Sequence, residues 1–124
     1  MTKLALVIGI LSISSLFLFA CGQNQVPLPT AESTVWTFMN LIKEGSIPQA
    51  VDMLNGSEKF DDLTRQAWTA QFNSWEVTKV NSVVVNQGAF RVDWSGRDGS
   101  DTRWINVVRQ NSQLWRIGEI ATGP

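Results

Sequence analysis

From Thr30 to Phe72 the apolar residues recur every three or four positions, and from Trp75 onward they recur every two. That change of period divides the chain into a helical half and a strand half. Thr30, after Pro29, is placed to cap a first helix in which Val35, Phe38, Met39 and Ile42 share one face, with Lys43 and Gly45 as stop signals. Ser46 can cap a second, shorter helix. Pro48 falls in its first turn, where a missing N–H costs nothing, and Ile47, Ala50, Val51 and Leu54 lie on one side. Asn55-Gly56 ends it. A third helix is predicted from Ser57 or Asp61 to Phe72, with Phe60, Leu63, Ala67, Trp68 and Phe72 along a broad apolar stripe and Asn73-Ser74 as its break.

Four strands follow, at 75–85, 89–95, 102–109 and 114–120, each rich in Val, Ile, Thr or Trp and bounded by turn residues. Trp75 and Val77 are out of phase with Val80, Ser82 and Val84, which predicts a β-bulge near Lys79 and a bend in the first strand. Asp98-Gly99 is a two-residue hairpin signal that sets Val92 opposite Ile105 and Phe90 opposite Val107. A three-residue turn at Asn111, Ser112 and Gln113 sets Val107 opposite Ile117. On this register Phe90, Val92, Trp94, Ile105, Val107, Trp115 and Ile117 share the core face, and Arg91 and Asp93 face outward.

The start of the chain has a different character. After Lys3, the sixteen residues from Leu4 to Phe19 carry no charge. This follows the plan of a secretory signal peptide, since a permanent membrane helix needs about 20 apolar residues. Leu18, Ala20 and Cys21 resemble the lipobox of bacterial lipoproteins, with Phe19 standing where a small or β-branched residue is usual. The resemblance implies a diacylglyceryl group on the Cys21 thiol and cleavage after Ala20. The domains expected are therefore a signal peptide at 1–20, a lipidated cysteine and linker at 21–30, and a single folded domain at 31–124. The linker holds two prolines and spans about 30 Å at most when extended. Gly22, in place of the aspartate that marks inner-membrane retention, implies an outer-membrane destination in a two-membrane bacterium. In a one-membrane bacterium the anchor lies on the outside of the cytoplasmic membrane.

Composition narrows the chemistry. Without Lys3, nine basic residues face eleven acidic ones with no run of either sign, which argues against a nucleic-acid partner. All six tryptophans follow Cys21, and the chain has no His, no Tyr and no second Cys. An internal disulfide is thereby excluded. Scattered carboxylates without His or a free thiol, and without an Asp-rich loop, predict no metal site and no cofactor.

The order of helix, short helix, helix and bent antiparallel sheet, ending in Leu114-Trp115-Arg116-Ile117, resembles the cone of the nuclear transport factor 2-like superfamily. It is most similar to small bacterial lipoproteins that carry such a domain without a known activity. The likeness covers 31–120 and lies in order and spacing: the opening helix stopped by Gly45, the short helix Ile47 to Leu54, the bulged strand at Trp75 and the closing Trp-Arg-Ile strand. It implies a pocket between helices and sheet. A fold shared by isomerase-like enzymes, cyclase-like enzymes and binding subunits does not choose among them.

The candidate site residues follow from strand parity. Glu119, in phase with Trp115 and Ile117, is expected to point into the cone, with Arg103, in phase with Ile105, as its diagonal neighbour. The two form either an ion pair that orders the sheet edge or a ligand, or a site in which Glu119, desolvated by tryptophan, acts as a general base. Trp36, Trp75, Trp94 and Trp115 are expected in the core rather than as sugar-stacking platforms, since a domain this small has few larger sources of buried area. Trp104 and Val108 fall on the outer face of the sheet, where the superfamily often forms homodimers. Trp104 there is either a contact surface or a tryptophan covered by the linker or by arginines. The function expected is that of a lipid-anchored envelope protein acting as a non-catalytic module, which binds a small apolar ligand or an envelope partner. The alternative is a pocket enzyme of the isomerase or cyclase type built on Glu119.

Overall fold

The computed structural model describes residues 28–123, so the expected signal peptide, Cys21 and most of the linker lie outside the described residues. Three helices, α1 (Ala31–Glu44), α2 (Ile47–Asp52) and α3 (Asp62–Trp75), precede four strands, β1 (Val77–Asn86), β2 (Ala89–Gly96), β3 (Gly99–Asn111) and β4 (Leu114–Ala121). A single 3₁₀ turn, Ser57–Lys59, sits between α2 and α3. The strands form one open antiparallel sheet in the order β1-β2-β3-β4, giving an α+β domain with the helices on one face.

Each helix begins where its capping residue predicts. Thr30 Oγ1 accepts from the Ser33 amide at 3.0 Å while Ser33 Oγ accepts from the Thr30 amide at 2.8 Å, closing a reciprocal box over the first turn of α1. Gly45 ends that helix in the left-handed region at φ 84°, where a side chain would be strained. Asp61 accepts from the Thr64 amide at 2.8 Å to start α3, and this bond holds its carboxyl below the ordinary range. Asn73-Ser74 does not break α3, which runs on to Trp75. Trp68, Phe72 and Trp75 stand at i, i+4 and i+7, so their shared apolar face rewards continuing the helix by another turn.

Two bulges bend β1 in place of the expected one. Its pairing with β2 slips between Val77 and Lys79 and again between Val80 and Ser82. As a result Val77, Val80 and Val83, three residues apart, all turn toward the helices, while Val84 is exposed. The β2–β3 hairpin turns at Arg97-Asp98, with Gly96 opposite Gly99, one residue earlier than Asp98-Gly99 predicts. Gly96 explains the difference: a Cβ there would lie 3.0 Å from the Trp75 carbonyl oxygen, so backbone closeness pins it to the end of the sheet. Phe90 therefore pairs with Ile105, and Val92 with Arg103. The shift is by two, so every side chain keeps its predicted face. In β3–β4, Val107 does pair with Ile117, through a two-residue turn at Ser112-Gln113 and an irregularity at Gln110.

Side chains fill the space between helices and sheet. Val35, Phe38, Met39, Phe72, Val92, Ile105 and Ile117 are buried completely, and Trp94 is 1% exposed. Phe38 meets Phe72 edge-on at 5.3 Å, Phe72 meets Trp75 at 5.2 Å, and Trp75 stacks on Trp94 at 4.7 Å. Each such buried side chain contributes roughly 1.5–3 kcal/mol by transfer from water. Trp36 packs against this core from its margin. Trp115 departs from expectation: it lies half-buried outside the core, paired with Arg109, whose guanidinium sits 4.6 Å above its ring.

The two sheet edges differ. On β4, the Ile117 amide donates to the Met53 carbonyl at 2.9 Å and the Asn55 amide donates to the Ile117 carbonyl at 2.8 Å. The segment after α2 thus acts as a fifth, very short strand, secured by Arg116 Nη1 donating to the Asp52 carbonyl at 2.6 Å. On β1, among the described residues, no backbone group pairs with the outer edge.

Candidate functional site

β4 carries a break in alternation that decides where the candidate residues lie. Val107 pairs with Ile117 but Asn106 pairs with Glu119, leaving Gly118 as an extra residue between them. A Cβ on Gly118 would stand 2.6 Å from Asn106 Oδ1 and 3.1 Å from Val108 Cγ1, so any larger residue would force the Asn106 side chain aside. The bulge inverts parity for the rest of the strand. Ile120, opposite Ile105, packs against the core, and Glu119 emerges exposed on the face away from the helices.

The expected neighbourhood of Glu119 and Arg103 is therefore corrected. Arg103 faces inward as predicted, but its partner is Asp101, at 2.8 Å, and its side chain is 18% exposed. Its guanidinium lies over both stacked tryptophans, 5.6 Å from the Trp75 ring and 5.5 Å from the Trp94 ring. It closes the open end of the aromatic core. Beside it, between the end of α3 and the β2–β3 turn, is a polar hollow of about 460 Å³ lined in part by Gln71, Glu76, Asp98 and Asp101. Glu119 and Arg103 thus serve opposite faces of the sheet.

On the outer face the structure brings together two candidates that parity had separated. Glu119 and Trp104 line one hollow of about 290 Å³ with Asn86, Gln87, Asn106 and Ala121. Asn106 Oδ1 accepts from the Glu119 amide at 2.6 Å, fixing the bulge and the direction of the acid. Trp104, directly across from Arg91, is half-buried beneath that residue's guanidinium at 6.0 Å from the ring. Its indole Nε1 is shut off from solvent and has no partner among the described residues; a buried donor left without one costs about 1–3 kcal/mol. Gln87 sits in the left-handed region at φ 53°, a conformation uncommon for a residue other than glycine. Val108, the other predicted outer-face residue, pairs with Arg116 and is half-buried beside Gly118.

Next to this hollow, Asp93 ties three strands together. Thr102 Oγ1 donates to it at 2.6 Å and Ser82 Oγ at 3.1 Å, and Arg91 Nε lies 3.4 Å away. The Thr102 hydroxyl first, with help from Ser82 and Arg91, holds its carboxyl below the ordinary aspartate value of 3.8. The outer face therefore offers a carboxylate, side-chain amides and an indole, a set suited to hydrogen bonding and apolar contact. Among the described residues no three His, Cys, Asp or Glu converge to hold a metal ion. Sequence reasoning missed the union of Glu119 with Trp104, although a glycine inside a strand, followed by the out-of-phase Ile120, was a usable sign of a bulge.

No family model, no curated protein and no solved structure matches this chain.

Proposed function

We propose that this chain is a bacterial envelope lipoprotein, anchored through a diacylglyceryl group on Cys21, whose cone of the nuclear transport factor 2-like type acts as a non-catalytic interaction module. The apolar run before Cys21 and the Leu18-Phe19-Ala20-Cys21 boundary support the anchor. The order of helices and the bent sheet support the cone. The observation that carries the interaction reading is the hollow shared by Trp104 and Glu119 on the sheet face opposite the helices. A ligand inside the cone is disfavoured by the fully buried side chains that occupy its centre. The working surface is instead the outer face, where a projecting polar group of an envelope protein meets the carboxylate and amides beside an indole.

The enzyme reading loses its motive, because Glu119 is exposed and not desolvated among tryptophans. Two measurements test the proposal. Cys21→Ser should leave the precursor uncleaved and move the protein out of the membrane fraction. A Cys21→Ser protein that still sediments with membranes would point to an uncleaved helix as the anchor. Trp104→Ala and Glu119→Gln should each weaken co-purification of envelope proteins from cross-linked cells. Capture that is identical for both variants and the parent rejects the outer face as the contact.

A further inference from the structure

Of the two edge strands, β4 has backbone partners at Ile117, whereas β1 has none along its outer edge among the described residues. Exposed edges invite pairing with another strand, and proteins blunt them with bulges, charges or a cover. β1 uses these devices in its first half alone. Both bulges, at Thr78 and Asn81, and the single charge of the strand, Lys79, precede Ser82. From Ser82 to Asn86 the pairing with β2 is regular, no charge is present, and two valines stand in solvent, Val84 at 56% and Val85 at 65% exposure. Consecutive strand residues point to opposite faces. This edge is therefore apolar both above and below the sheet.

We propose that Ser82–Asn86 is the edge through which two copies of this chain join, antiparallel and about a two-fold axis at Val84. The segment is complementary to itself. Val84 meets Val84 of the second copy on the outer face, and Val83 and Val85 meet each other's counterparts on the helix side, where Val85 gains cover beside the second copy's buried Val83. Lys79 of each copy then lies beyond the Gln87-Gly88 turn of the other, so no like charges face each other. The opposite edge is paired at Ile117 by the Met53–Asn55 segment. A β1–β1 contact about a two-fold axis uses the same edge on both copies and so closes as a dimer. The edge adjoins the Trp104 hollow and shares Asn86 with it, but Val83, Val84 and Val85, which carry the contact, do not line that hollow, so this inference does not rest on the interaction reading above.

The test is sedimentation of the full-length protein, extracted in mild detergent, over a range of concentrations. The parent is expected to form a concentration-dependent dimer. The double variant Val84→Lys/Val85→Lys should dimerise at least about tenfold more weakly, since it sets like charges across the axis. Trp104→Ala should dimerise as the parent does. Hydrogen exchange supplies a second readout on the parent alone: the outward amides of 82–86 should gain protection as the dimer forms. A parent that stays monomeric overturns the proposal, and so does a dimer that survives both lysines. Protection of those amides in the monomer also overturns it, since an upstream segment of the same chain would then cover the edge.

Discussion

The Glu119 amide donates to Asn106 Oδ1 across 2.6 Å, and the side chain of Asn106 occupies the space that a Cβ on Gly118 would need. One bond thus fixes the bulge, turns Glu119 to the outer face and returns Ile120 to the core. Gly118→Ala should cost about 1–3 kcal/mol, as overpacking against a well-placed neighbour does. Asn106→Ala removes the obstruction along with the bond. In urea unfolding, the double variant should therefore lose less stability than the sum of the two single variants. Additive losses would mean that the two residues do not share this space.

Arg103 and Glu119 lie on opposite faces, so a double-mutant cycle between them should give a coupling within about 0.5 kcal/mol of zero. Arg103→Met should by itself cost about 0.5–2 kcal/mol, the range for a guanidinium held over aromatic rings in a partly desolvated setting. It should also change the tryptophan emission, because Trp75 and Trp94 lose their cover. Arg103→Lys should restore little of this, since an ammonium does not stack as a planar group.

Asp93 has a pH signature with a defined sign. Its carboxyl is held below the ordinary aspartate value of 3.8 by Thr102, Ser82 and Arg91, so the folded state favours the ionised form. The stabilisation is complete above the unfolded value and is lost as pH falls through the lower folded one. The urea midpoint of the parent should therefore drop as acid is added below about pH 4. Asp93→Asn should be less stable at neutral pH and show a flatter acid limb. An acid limb of unchanged slope would assign that proton uptake to other carboxylates.

Much of this architecture is legible in the residue pattern, because the burial that fixes each element is also what spaces its apolar residues. Thr30, Gly45, Pro48 and Asp61 mark helix ends through their own backbone chemistry, and Phe90, Val92 and Trp94 declare the inner face of β2 by simple alternation. Errors arose where a distant contact overrides a local sign. Asn73-Ser74 looks like a helix break, yet the helix continues to Trp75, whose ring stacks on the distant Trp94 at 4.7 Å. Asp98-Gly99 looks like the hairpin, yet Gly96 is pinned against α3. Trp115, Ile117 and Glu119 look like one continuous face, and alternation alone turns Glu119 toward the helices. The space claimed by Asn106 across the sheet could not be read from β4 by itself.

The strap that covers β4 also sets an order of events. Asp52 and Arg116, which help to fasten it, are 64 residues apart in the chain. Helices α1 and α2 emerge early in synthesis, but their segment cannot close over the sheet edge until β4 has been made. Contacts of such separation are slow to form, because the intervening loop must be ordered before they repay it. The nascent domain thus holds an incomplete apolar core for most of its synthesis, with strand edges that only the last residues can shield.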